Sequence, residues 1–233
     1  EGPKNHFLKK GTPTMGGILF IPIGIIISNI LYFNKEDYKI ILTLSFLITF
    51  FMFIGFIDDF LSLKKQLNTG LKSNQKITLQ FIISLIFIII CASNNLISES
   101  IQISNAIIPV GNLIYPLGIF VLLAESNSTN LTDGLDGLLS GCSVLIFTGL
   151  AITILIQNPS NSSTLAPLCI VMAGTCMGFL FLNKYPAKLF MGDSGSLAIG
   201  ASLGGIALIS NNLWPLLIMG GILCAESISV IIQ

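Results

Sequence analysis

The sequence predicts an all-α fold, a polytopic bundle of transmembrane helices with about eight spans in 233 residues. Three observations carry this. Hydrophobic residues make up 53% of the chain and charged residues only 9%, against about 25% charged in soluble domains. The apolar residues lie in continuous runs without alternation, and in lipid a helix satisfies its own backbone where an open strand does not. The charges that remain are strongly sided: of eleven lysines (there is no arginine), nine fall on one side of the implied bundle. The same figures exclude disorder, which needs low hydrophobicity and high charge. They exclude electrostatic binding of nucleic acid, since the net charge is zero and no long basic run exists. The five cysteines form no C-x-x-C pair and sit mostly in apolar runs, so no disulfide framework is expected.

The apolar runs are roughly 17–34, 40–57, 77–93, 112–124, 138–156, 165–182, 196–210 and 213–232. A helix needs about 20 residues to cross the hydrocarbon core. The first run follows a turn of small residues, Gly11-Thr12-Pro13-Thr14-Met15-Gly16-Gly17. The second ends at Asp58-Asp59, and the third starts after Lys72 and Lys76. The fourth and seventh are short for a span, and are expected to borrow polar neighbours or cross where the bilayer is thin. Gly200, Gly204 and Gly205 in the seventh are expected at close helix contacts. Strands are not expected.

With eight crossings, one side receives Lys4, Lys9, Lys10, Lys64, Lys65, Lys72, Lys76, Lys184 and Lys188, and the other only Lys35 and Lys39. The positive-inside rule assigns the first side to the cytoplasm. Asp58, Asp59, Glu125, Asp133, Asp136 and Asp193 lie on or beside the same loops, while Glu226 falls within the last run. An ion-coupled transporter would spread its acids through the spans; ten of the eleven here lie near loops or surfaces.

Three acidic motifs stand at that face. In Gly55-Phe56-Ile57-Asp58-Asp59, adjacent carboxylates at a membrane boundary are costly without a cation or proton. Two solvated acids at a helix C-terminus are the structural alternative, and the helix dipole disfavours them. In Asn130-Leu131-Thr132-Asp133-Gly134-Leu135-Asp136-Gly137-Leu138, the two acids would share one face if helical. An Asn/Asp/Gly turn fits equally well. In Phe190-Met191-Gly192-Asp193-Ser194-Gly195, Asp193 or Ser194 reads first as a helix cap. A phosphate or Mg²⁺ site at that helix start is the functional alternative. His6 is the only histidine, so a zinc site is not expected.

In order and spacing these segments resemble the polyprenyl-phosphate N-acetylhexosamine-1-phosphate transferases, with the peptidoglycan branch closest. The residues are Gly2-Pro3-Lys4-Asn5-His6, GTPTMGG at 11–17, GFIDD at 55–59, Gly70-Leu71 with Gln75-Lys76, NLTDGLDGL at 130–138, FMGDSGSL at 190–197 and Glu226-Ser227-Ile228-Ser229-Val230. The resemblance implies an integral enzyme of a bacterial cell membrane, or an equivalent plastid-type membrane, with its site on the cytoplasmic face. It implies Mg²⁺-dependent transfer of phospho-N-acetylmuramoyl-pentapeptide from UDP to undecaprenyl phosphate, giving lipid I and UMP in peptidoglycan synthesis. A relative using another UDP-N-acetylhexosamine is the nearest alternative. Asp58, Asp59 and Asp193 are implied in the chemistry, with Asp193 as the Mg²⁺ ligand. Asn130, Asp133, Asp136 and Phe190 are implied at the nucleotide-sugar and Lys76 near the phosphates. Lys9 and Thr14 carry over to the same site. A homodimer is compatible with the family.

The resemblance implies one integral-membrane transferase domain over 1–233, with a further span before Glu1 and a His-rich loop beyond Gln233. Two positions depart from the family pattern. Ser62 stands where a lysine is usual, and Glu125 where an uncharged residue is usual.

Overall fold

A computed structural model describes residues 12–65, 70–104, 106–157 and 159–232. Nine α-helices are present among them: α1 (Gly17–Tyr32), α2 (Tyr38–Lys65), α3 (Ser73–Ser93), α4 (Ile114–Thr132), α5 (Leu138–Gln157), α6 (Pro159–Asn183), α7 (Asp193–Ile209), α8 (Leu213–Met219) and α9 (Gly221–Ile232). Four are long and apolar enough to cross a membrane: α2, α3, α5 and the Ser163–Asn183 part of α6. α1 and α7 are shorter apolar helices. The architecture is that of an integral membrane helix bundle.

The arrangement is built around α7. Every residue from Ser194 to Ile209 is buried, so this helix has no outward face. Its composition explains how it fits. A carbon added at Gly200 would lie 2.4 Å from the Ser126 Cα of α4, and one at Gly205 would lie 2.7 Å from the Leu47 side chain of α2. Small residues let neighbouring backbones close in where lipid supplies no hydrophobic drive between helices. α2 and α4 flank α7, α1 touches it near its start, and α5 pairs with α6 beside them.

Four sequence expectations change. First, α2 does not end at residue 57 but runs on to Lys65. At 1.5 Å per residue the helix rises about 30 Å between Tyr38 and Asp58, so the two acids sit where a hydrocarbon core would end. They are interior to the helix, and Lys64 and Lys65 occupy its last turn, where cations suit the dipole. Second, α4 continues eight residues past 124, to Thr132. The Ser126, Thr129 and Thr132 hydroxyls donate back to helix carbonyls at Leu123, Glu125 and Ser128. The polar stretch read as a loop is thereby helical, and Glu125 is buried within it. Third, the last apolar run is not one span; α8 ends at Met219 and α9 begins at Gly221. The count of eight spans therefore does not follow from these helices. Fourth, a two-stranded antiparallel hairpin, β1 (Ser100–Ile103) and β2 (Ala106–Pro109), joins α3 to α4 through a 3-10 turn at Gly111–Leu113. The argument against strands applied to spans, and this hairpin lies between two of them.

Candidate active site

The site residues converge at one end of the bundle because five elements begin or end there. α2 brings Asp58 and Asp59, α3 brings Lys76 in its first turn, α4 brings Asn130 in its last, and α7 opens with Asp193. The turn after α4 brings Asp133.

Asp193 is the hub. Its Oδ1 accepts a hydrogen bond from Asn130 Nδ2 at 2.7 Å. Its Oδ2 pairs with the Lys76 ammonium, and both side chains are largely buried. Lys76 also donates to Asn130 Oδ1 at 3.3 Å. Asn130 Nδ2 reaches Ser196 Oγ at 3.0 Å, and Thr129 Oγ1 donates to the Ser196 carbonyl at 2.8 Å. The Asp58 and Asp193 carboxyls face each other, with Lys76 acting on both. The Asp58 Oδ1 accepts the Leu71 N–H at 2.8 Å, which ties the start of the α3 segment to α2.

Asp59 does something different. Its two oxygens accept the backbone N–H groups of Asp193 and Ser194, each at 3.0 Å. These are donors at the start of α7 that have no partner inside the helix. The residue preceding α7 is Gly192, at φ 74°, and it supplies no side-chain cap. A carbon added there would lie 2.6 Å from Asp59 Oδ2. The cap expected from Asp193 or Ser194 therefore comes from another helix. A carboxylate at a helix N-terminus also gains from the macrodipole.

Asp133 and Asp136 are in a turn, not on one helical face. Burial, then the charges of Asp193 and Asp59, push the Asp133 carboxyl up to about 8. The Gly192 backbone N–H, which donates to it, acts in the opposite sense. Asp136 Oδ2 instead accepts the Ala187 N–H at 3.1 Å, joining the turn to the α6–α7 loop. Phe190 is placed by its backbone: its N–H donates to the Pro13 carbonyl, and its own carbonyl accepts the Gly16 N–H, both at 2.9 Å. Thr14 is half-buried in that strip. Lys9 lies outside the described residues. Asp58, Asp193, Lys76, Asn130 and Asp133 are thus brought together, with Asp59 behind them and Asp136 to one side.

Two contributors were missed in the sequence. Ser196 braces Asn130, and the FMGDSGSL motif contains it. Asn183, 2% exposed, accepts from Gly137 N–H and Ser140 Oγ and donates to the Leu189 carbonyl. A polar residue closing an apolar run just before Lys184-Tyr185-Pro186 was its only signal.

Among the described residues no group of three or more His, Cys, Asp or Glu side chains is gathered to hold a metal ion. Mg²⁺ does not require one: it takes one or two carboxylates and fills the remaining positions with water and substrate phosphate. The facing pair of Asp58 and Asp193 is a hard-oxygen donor set of that kind.

The sequence profile of glycosyl transferase family 4 matches residues 41–211, most of the chain and every helix of this cluster. The chain belongs to glycosyl transferase family 4. Within that family, a profile described as phospho-N-acetylmuramoyl-pentapeptide-transferase signature 1 matches residues 9–21. The chain is 87% identical over its whole length to the phospho-N-acetylmuramoyl-pentapeptide-transferase of Prochlorococcus marinus (strain NATL2A), of which it covers 63%. It is 51% identical to the protein of that name from Synechococcus sp. (strain CC9605), covering 67% of it. Another from Prochlorococcus marinus (strain MIT 9313) is 50% identical, with 63% covered. The chain thus spans a little under two thirds of the first of these relatives. Family 4 membership extends to the central helix, since the 41–211 match takes in α7 whole.

Proposed function

We propose that this chain carries the active site of a phospho-N-acetylmuramoyl-pentapeptide transferase, moving the phospho-sugar from its UDP carrier to undecaprenyl phosphate and releasing UMP. The observation that carries the reading is the convergence of Asp58, Asp193, Lys76 and Asn130 from four helices at one bundle end. The relatives' names supply the substrate class.

Both substrates bring phosphate to the site. The Lys76 ammonium offsets that charge, and Asn130 fixes the Asp193 carboxylate by occupying one of its oxygens. Asp193, beside Asp58, would hold Mg²⁺, whose chemistry is to neutralise the phosphate oxygens during transfer. Asp58 has one oxygen on the Leu71 N–H and turns toward Asp193, where a phosphate would lie. It is the carboxylate placed to take a proton from the acceptor phosphate. Asp59 spends both oxygens on the α7 backbone, so we assign it to positioning Asp193. Asp133 and Phe190 border the nucleotide-sugar, and Asp136 holds the adjoining loop. The Lys distribution supports placing this end at the cytoplasmic face.

The test is UMP release by the full-length protein from UDP-N-acetylmuramoyl-pentapeptide and undecaprenyl phosphate. Release is expected to need Mg²⁺ and to be abolished by Asp193→Asn. Equal activity with UDP-N-acetylglucosamine would move the substrate assignment. Activity retained in Asp193→Asn would remove the metal role.

A further inference from the structure

The hairpin between α3 and α4 plays no part in the chemistry above. It lies at the opposite end of the bundle: α3 starts at the site and carries the chain about 30 Å away over its 21 residues. There the Gln102 N–H donates to Asn211 Oδ1 at 3.4 Å, just beyond the C-terminal end of α7. β1 packs on α8.

Its outer strand is unusual. All four residues of β2, Ala106-Ile107-Ile108-Pro109, are exposed. Ile107 is 69% exposed, and Leu113 in the following 3-10 turn is 71% exposed. No charged residue occurs between Glu99 and Glu125. Proteins in water blunt an exposed strand edge with lysines, bulges or a covering element. This edge carries two adjacent isoleucines and no charge. The apolar strip also adjoins exposed apolar residues of α8. The turn residue Ser104 borders a cavity of about 330 Å³ shared with Trp214, Pro215 and Ile218 of α8. Leu217 and Ile218 on that helix are exposed. Trp214 is the only tryptophan of the chain. Tryptophan concentrates at the membrane–water boundary, where its ring is apolar and its N–H wet.

We infer that β2 and the 3-10 turn are a membrane-contacting element, lying in the interfacial layer of the far leaflet with Ile107 and Leu113 in lipid. The layer suits the strand on both counts. It takes up apolar side chains, and its headgroups and water serve the outer edge of β2, which no further strand pairs among the described residues. Deeper insertion is excluded by those backbone groups, which hydrocarbon would leave unsatisfied. Pro109 removes one donor from the edge.

The single tryptophan makes the test direct. In a Trp214→Phe background, Ile107→Trp places the only indole on the strand, and Lys35→Trp serves as a control in a polar connection at the same end. Each protein is reconstituted in vesicles of phosphatidylcholine with one part in four phosphatidylglycerol. Quenching by lipids brominated on the acyl chain is compared with quenching by aqueous iodide. For Ile107→Trp, brominated lipid is expected to quench strongly, and iodide several-fold less than for Lys35→Trp. Iodide quenching equal to the control would overturn the inference, since the strand would face water. Protection from both quenchers would overturn it too, because a second copy or another protein would then cover the strand.

Discussion

Gly55 is a position where one methyl group should do severe damage. It sits on α2, one turn before Asp58 and Asp59, and faces the start of α7. A carbon added there would lie 2.1 Å from the Asp193 carbonyl oxygen and 2.4 Å from the Ser194 nitrogen. Those are backbone atoms, so no rotamer change relieves the overlap. Restoring a carbon–oxygen distance of about 3.3 Å requires α2 and α7 to part by about 1 Å at this level. The two Asp59 bonds, at 3.0 Å each, would then stretch past hydrogen-bond range. Charge-assisted bonds of that kind contribute about 1.5–3 kcal/mol each, and overpacking adds about 1–3 kcal/mol. Gly55→Ala should therefore destabilise the protein by about 4–9 kcal/mol. It should also slow transfer by about 100-fold, the effect of an ångström's misplacement of reacting groups. The assay is UMP release together with thermal unfolding in the same detergent. Gly141→Ala on α5 is the control, because nothing lies within 4 Å of the carbon it adds. If Gly55→Ala unfolds and turns over like the unaltered protein, the close approach of α2 to α7 is wrong.

Two further outcomes follow from other sites. Asp133 is raised to about 8, from the ordinary carboxylate range. The folded protein then holds a proton that the unfolded chain has lost above its own lower value, so stability is present at low pH and falls as pH rises toward about 8. In EDTA, melting temperature should show this fall, and Asp133→Asn should flatten it; an unchanged slope in the variant would assign the effect elsewhere. Glu125, 7% exposed, has an Oε2 with no hydrogen-bond partner among the described residues. Glu125→Met should raise stability by about 1–3 kcal/mol without loss of transfer, and a lower melting point would show that the carboxylate has a partner.

How much of this was legible in the sequence varies by residue. The membrane bundle and the small-residue contacts of Gly200, Gly204 and Gly205 were legible because lipid imposes them through composition alone. Asp58 and Asp59 were legible as a pair but not as two roles. Consecutive residues on a helix point about 100° apart, so one carboxylate turns to Leu71 and the other to α7. The clustering of Lys76, Asn130 and Asp193 came only through the family resemblance, since no local spacing encodes a meeting of three helices. The extension of α4 was hidden because serine, threonine and asparagine read as loop formers. Their side chains return hydrogen bonds to helix carbonyls once the helix is buried against α7. The hairpin was overlooked because its two four-residue strands lie in the gap between two apolar runs, too short to register as spans.

The position of α7 has a consequence for how the protein responds to its surroundings. A helix with no outward face does not meet the bilayer, so changes in membrane thickness act first on the helices around it. Hydrophobic mismatch is met by tilt and snorkelling of lipid-facing helices, at a modest cost per ångström. Asp193 opens a helix that is sheltered on every side among the described residues. Transfer rates are therefore expected to change little with acyl-chain length over a range in which the tilt of α3 or α5 changes measurably.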